Sequence, residues 1–260
     1  WIGNQITTTV IIAKLFMPSL MCIVIPLIII SFKLKGSIEK PSSLNTQQLD
    51  VLPRKHQLIV LISGVLVLVL VPVFKTLTHL PPYMGILLGL GILWIITVIL
   101  HKSKEEAHKD KYSVSHALRN VDIPSILFFL GILISIAAMQ STGILSNFAE
   151  KMTTAIGNEN IIVVSIGLLS SIIDNVPLVA ATQGMYSLAQ YPTDHYFWEF
   201  LAFSAGTGGS ALIIGSAAGV VAMGMEKISF IWYLKKISLL ALIGFFSGAG
   251  IYIIQDILFK

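Results

Sequence analysis

The chain has 260 residues, of which 55% are hydrophobic and only 12% charged, and its mean hydropathy is +0.85. A water-soluble domain carries about twice that charge fraction and would aggregate with so apolar a surface, so the solvent of this fold is a lipid bilayer. The net charge of +4 does not point to nucleic acid, because the lysines and arginines fall in loops between apolar runs, where they set membrane topology.

A membrane-spanning helix needs about 20 predominantly apolar residues. The first such run covers 10–31, and the polar loop 32–57 after it holds Lys33, Lys35, Lys40, Arg54 and Lys55. Runs at 58–76 and 83–100 follow, with Pro81-Pro82 marking the short turn between them. A second polar loop, 101–122, carries Lys102, Lys104, Lys109, Lys111 and Arg119. The fourth run is 123–139, residues 143–156 read as a short interfacial helix, and the last run is 230–256. Cys22 is the one cysteine; it permits no internal disulfide and belongs to no metal-ligand spacing, so no cofactor is expected. The chain starts at Trp1 in mid-pattern, with no signal peptide, and the expectation is that a further segment precedes it.

Two membrane segments are broken. Ile161–Ile173 and Leu178–Gln190 are apolar arms separated by Asp174-Asn175-Val176-Pro177, and each arm rises only about 20 Å, short of the hydrocarbon thickness. If both lysine-rich loops are cytoplasmic, a re-entrant hairpin over 161–190 sends Lys227, Lys235 and Lys236 to the cytoplasm too, whereas a full crossing would send them outside. The second break is Gly206-Thr207-Gly208-Gly209-Ser210 inside a span at 196–225. Backbone freed by such a break is tolerated in a membrane only where it is buried in protein or lines a cavity, and paired interrupted segments are the sequence pointer to a transporter's binding site. The expected fold is therefore an all-α polytopic bundle of six spans, with one re-entrant hairpin and one unwound helix.

Asp174 reads as the only acid deep in a membrane segment, since Glu199, Glu226 and Asp256 fall near span ends. Such a residue is functional by default, although Asp174 or Asn175 can equally cap the second arm, with Pro177 in its first turn. The expected site is one for a small hard cation, which prefers several oxygen ligands. Asp174 would supply charge to the transported sodium, with Asn175 capping. Ser170 and Ser171 would supply hydroxyls, and Thr207, Gly208, Gly209 and Ser210 would supply carbonyls and two more hydroxyls. In general a buried carboxylate favours its protonated form and a bound cation its ionised form, so one such group lets proton and sodium compete. The glycine run lacks the lysine of a phosphate loop, and Gly215 and Gly219 read as a close helix contact.

The stretch Ser170-Ser171-Ile172-Ile173-Asp174-Asn175-Val176-Pro177-Leu178-Val179-Ala180-Ala181 resembles the hairpin signature of NhaD-type sodium/proton antiporters. So do Gly206 to Gly219 and Met223 to Tyr233. The resemblance implies membership of the ion transporter superfamily and secondary transport of sodium, with lithium a second candidate, in exchange for protons. It also implies inverted repeats and alternating access, in which hairpin and broken span move together. On that pattern residues 1–57 are the end of a first repeat plus a linker, and 58–260 are the second repeat. The expected partners are the two ions, the bilayer, an absent N-terminal repeat and a second copy in a homodimer; the expected membrane is a bacterial inner membrane. The alternatives are an arsenite or dicarboxylate carrier of the same superfamily, or an incomplete fragment without transport of its own. An intramembrane protease is not expected: an aspartyl enzyme needs two facing carboxylates, and a serine enzyme needs a deep histidine as base.

Overall fold

A computed structural model of the chain describes residues 3–33, 54–100, 114–119, 121 and 123–259. These form helices α1 (Thr8–Lys33), α2 (Arg54–Thr78), α3 (Pro82–Leu100), α4 (Val114–Arg119), α5 (Ile123–Ser141), α6 (Ile144–Ile156), α7 (Glu159–Leu169), α8 (Asn175–Met185), α9 (Tyr196–Gly208), α10 (Ala217–Met225), α11 (Phe230–Lys236) and α12 (Ser238–Leu258). The protein is all-helical and polytopic. Helices α1, α2, α3 and α12 are each long and apolar enough to cross a membrane. The pair α5 and α6, bent by 74°, adds a fifth span if the two count as one, so the described helices supply four or five spans by length and composition, against the six expected; the expected run 196–225 falls on the interrupted α9–α10. The lysines and arginine of the 101–122 loop other than Arg119, and Lys35 and Lys40 of the first loop, lie outside the described residues.

The chain divides into two compact units, residues 37–124 and the rest. In the first, α2 and α3 pack as an antiparallel pair, with Gly85 under Phe74 and Gly89 under Val67.

In the second unit, α1 and α12 run antiparallel, and prolines dictate how they meet. Pro18 and Pro26 stand inside α1, and each lacks the N–H that would bond the carbonyl four residues back. Pro18 thereby frees the Lys14 carbonyl, which accepts a hydrogen bond from Gln255 Nε2 at 3.2 Å. Pro26 frees the Cys22 carbonyl, against which Gly244 lies so closely that a Cβ there would be 2.3 Å from it. Orphaned membrane backbone is thus covered by protein, as hydrocarbon solvent demands.

Helix α9 is the centre of this unit. Phe197, Trp198, Glu199, Phe200, Leu201, Phe203, Ser204, Ala205 and Gly208 are all buried on it, so it is enclosed on every side. Phe200 stacks on Tyr252 with centroids 5.0 Å apart, and Phe203 on Phe245 at 6.3 Å. Tyr191 stacks on Phe197 at 4.4 Å.

Two expected elements differ. The run 230–256 is not one helix: α11 ends at Lys236, Ile237 interrupts, and α12 runs from Ser238 to Leu258. Hydropathy merges the two because their residues are alike, whereas the Lys235-Lys236 pair keeps that turn out of the hydrocarbon. The second break also lies later than expected. Helix α9 continues through Gly206 and Thr207 to Gly208, and the irregular stretch is 209–216, up to the Ser216 cap of α10.

Candidate functional site

The segment 159–185 is a hairpin whose arms are α7 and α8. Asn158 caps α7, its side chain accepting from the backbone N–H groups of Asn160 and Ile161. A straight passage through two eleven-residue arms would carry the chain about 33 Å. Instead Tyr191, just beyond the second arm, donates from its hydroxyl to Glu159 at the start of the first, at 2.9 Å. Tyr196 likewise donates to Asn160 Oδ1 at 2.7 Å. Both ends of the segment therefore lie together, and the tip is residues 170–174. Burial, the hydrogen bond to Glu159 and the charge of that carboxylate together push the Tyr191 phenol above its ordinary titration range.

The tip rests on the irregular stretch after α9, and glycines make that approach possible. A Cβ on Gly208 would lie 1.9 Å from the Gly167 carbonyl oxygen, and one on Gly215 would lie 1.9 Å from that of Ser170. The Gly215 N–H donates to the Ser171 carbonyl at 2.9 Å. From the other side Tyr233 of α11 donates to the Ser210 carbonyl at 2.7 Å. Within the stretch, Ile213 has φ of 62°, a left-handed conformation that is a genuine outlier for a β-branched residue. Such strain persists only where surrounding contacts over-determine it, and it clusters at functional sites.

The centre of the clasp is polar and largely buried. Ser170 is fully buried; its hydroxyl donates to Asn175 Oδ1 at 2.5 Å and lies 2.8 Å from the Ala205 carbonyl oxygen. One serine proton cannot serve two acceptors, so the group is fully satisfied only with Ser170 donating to Ala205 and the Asn175 amide turned to present its nitrogen. Gly209 closes over the pair, its Cβ direction meeting Asn175 Oδ1 at 3.2 Å. The fully buried Ser204 hydroxyl has no hydrogen-bond partner among the described residues, and the Cβ direction of Gly167 meets Ser204 Cβ at 2.8 Å.

The structure thus brings together Ser170, Ser171, Asn175, Gly208 and Gly209 from the expected set. The others stand differently. Asp174, not Asn175, caps α8, its carboxylate accepting from the Val176 N–H at 3.0 Å; among the described residues this is its one side-chain hydrogen bond, and the residue is half-buried at the edge of the clasp. Val176 is exposed and Pro177 is buried in the first turn of α8, where its missing N–H is no loss. The Thr207 hydroxyl folds back onto the Phe203 carbonyl at 2.7 Å, inside the helix, and the exposed Ser210 contributes its carbonyl to Tyr233. Ser171 spends its hydroxyl on the Leu168 carbonyl at 2.6 Å. Glycine in this run serves close packing at Gly208, so the helix does not break at the first glycine. Ile172, Ile173, Val176 and Ile214 form an exposed apolar collar around the clasp.

A second polar cluster was not foreseen. Glu199 is 2% exposed rather than near water; it accepts from the Tyr252 hydroxyl at 2.7 Å and pairs with Lys14 at 3.6 Å. Lys14 inside the first apolar run was the available signal: an opposite charge in another span is what a buried acid requires. Ser204 gave no sequence signal, because a small hydroxyl is compatible with any membrane helix.

A family model described as citrate transporter (CitMHS) matches residues 3–199. The chain is 46% identical to sodium/proton antiporter 1 of Arabidopsis thaliana over 97% of this chain and 43% of that protein. It is 45% identical to sodium/proton antiporter 2 of the same plant, over 97% of this chain and 60% of that protein. Similarity to the Na(+)/H(+) antiporter NhaD of Alkalimonas amylolytica is 27% identity over 85% of this chain and 48% of that protein. The chain therefore spans 43–60% of the length of these relatives. No solved structure matches. With the family model covering more than half of an all-helical, polytopic chain, the protein belongs to the citrate transporter (CitMHS) family of membrane transport proteins.

Proposed function

We propose that the protein takes part in exchange of sodium, and of lithium as a related ion, for protons across a membrane. One observation carries the reading: the hairpin tip is clasped to an unwound stretch whose glycines bring oxygens together, with Asp174 at its edge and no lysine or arginine in 170–177 or 207–216. Such a donor set suits a hard cation. An arsenite or dicarboxylate carrier would want donors and positive charge at the same place. The names of the plant and bacterial relatives support the cation reading over the anion one.

In this reading Asp174 is the group for which sodium and proton compete. Ser170, Ser204, Asn175 and the carbonyls of the tip are the neutral ligands, freed as the clasp opens. The chain supplies one repeat of an inverted pair, and a second repeat covers the apolar collar; that is consistent with the greater length of the relatives. Higher identity to the plant proteins than to the bacterial one weighs against the bacterial inner membrane suggested by sequence.

The test is sodium-dependent proton movement in everted vesicles holding the full-length protein, compared with Asp174→Asn. Asparagine caps a helix as well as aspartate does, so the hairpin survives the change. Loss of exchange in the variant supports the assignment, and normal exchange would reduce Asp174 to a cap. Uptake of labelled citrate without sodium–proton coupling would overturn the reading in favour of the anion carrier.

A further inference from the structure

The end of α9 away from the clasp carries the unforeseen acid. Glu199 is 2% exposed, and about 14 Å of helix separates it from Gly208 at the clasp. The Tyr252 hydroxyl, on α12, donates to one carboxylate oxygen at 2.7 Å. Lys14, on α1, brings its ammonium to 3.6 Å from that same oxygen. A cavity of about 230 Å³ adjoins the group, lined by Ala13, Lys14, Tyr252, Gln255, Asp256 and Phe259. Glu199 is not on its wall, but both residues that meet its carboxylate are. Asp256 acts electrostatically on Tyr252 and on Tyr196 of α9, and Glu159 of α7 acts on Tyr196; α8 carries no titratable residue. For stability alone this is a poor arrangement. Burying a carboxylate is repaid by an ion pair only in excellent geometry. A close charge-assisted bond is about 2.7–2.9 Å, so at 3.6 Å the pair is loose, and Lys14, 47% exposed, is able to turn its charge into water. An ionisable group in a membrane segment is functional by default.

We propose that Glu199 is a second proton-binding site, gated by Lys14 and distinct from Asp174. With Lys14 docked, the carboxylate is ionised. When Lys14 turns away, the buried carboxylate is left without its cation and binds a proton from water. The neutral acid still accepts the Tyr252 hydrogen bond through its carbonyl oxygen. Lys14 keeps its own proton throughout, so the site takes up one proton as Lys14 leaves and releases it as Lys14 returns. Helix α9 is the link to transport, since it carries Glu199 near one end and closes on the hairpin tip at the other. That these protons move against sodium rests on the exchange reading above; proton binding at Glu199 does not.

The experiment has two arms, both in the full-length protein. In proteoliposomes with the membrane potential clamped and a fixed pH gradient, the sodium gradient that stops net proton movement gives the protons moved per sodium. The parent should move more than one. Glu199→Gln, which keeps the side-chain length and an acceptor for Tyr252, should move one fewer. Lys14→Gln should show the same loss, because no cation then expels the proton, and Lys14→Arg should restore the ratio; this pair decides the matter should Glu199→Gln not fold. An ion pair that served stability alone would alter rate and melting but leave the ratio as it is. The second arm needs no sodium. An acid step on purified Asp174→Asn protein should produce a carboxylic-acid infrared band that is missing once Glu199→Gln is added. A parent that moves a single proton per sodium, an unchanged ratio in either neutral variant, or a spectrum indifferent to Glu199→Gln overturns the proton site. The band appearing in a protein whose parent exchanges no sodium would sink the exchange reading and leave the proton site standing.

Discussion

Replacing Gly215 by alanine tests whether contact between the tip and the unwound stretch is the basis of transport. The new Cβ would fall 1.9 Å from the Ser170 carbonyl oxygen and 2.8 Å from the Ser171 carbonyl carbon, both backbone atoms that no rotamer change can move. Ordinary contact begins near 3.4 Å, so the stretch and the tip must part by about 1.5 Å (3.4 less 1.9). That displacement also breaks the hydrogen bond from Gly215 to Ser171, a loss of about 1 kcal/mol. A misplacement of about 1 Å costs a preorganised site on the order of a hundredfold. Sodium-dependent exchange in everted vesicles should therefore fall by roughly that factor, while expression and thermal stability in detergent change little, because the α1–α9–α12 core is untouched. Gly206→Ala is the matched control. Its Cβ would meet nothing within 4 Å, and inside α9 it gains about 0.5–1 kcal/mol of helix propensity; exchange should be normal. Gly215→Ala protein that transports like the parent, at equal expression, refutes the reasoning.

Asp174→Ala should lose both the charge and the cap, so it should be about 1 kcal/mol less stable than Asp174→Asn while equally inactive; thermal melts of the two purified proteins decide this. Lys14→Gln should destabilise the second unit, because Glu199, 2% exposed, is left without its cation; Lys14 is itself 47% exposed, so the expected loss is about 1–3 kcal/mol, below that of a fully buried pair. Adding Glu199→Gln to Lys14→Gln should restore part of it, and a double variant no better than the single would count against the pair. The Tyr191 phenol is held above its ordinary range in the fold, so between the ordinary tyrosine value, about 10, and its raised folded value the native state binds more protons than the unfolded one. Stability from the hairpin mouth should accordingly be present below about pH 10 and decline as pH rises beyond it. Tyr191→Phe should remove that alkaline decline, as read by proteolysis of the 186–195 connection across pH.

The membrane class, the all-helical fold and the presence of two interruptions were legible in the sequence because they follow from one-dimensional properties. Hydrocarbon solvent forces long apolar runs, and Asp174-Asn175-Val176-Pro177 interrupts one of them, while the glycine-rich run at 206–210 marks a second interruption that the fold places at 209–216. The hairpin too was legible, through the balance of lysines between loops, and the bond from Tyr191 to Glu159 is its structural counterpart. What each polar residue does was not legible. Whether Asp174 or Asn175 caps depends on which side chain turns toward the buried Ser170 hydroxyl, and the position of the unwound stretch depends on Gly208 and Gly215 meeting the Gly167 and Ser170 carbonyls. Glu199 sits near the end of a run in sequence, yet Lys14 and Tyr252 enclose it from two other helices. Hydropathy and spacing report on a residue's own segment; partners such as Ala205 for Ser170 and Lys14 for Gln255 lie 35 and 241 residues away, and only tertiary packing brings them into contact.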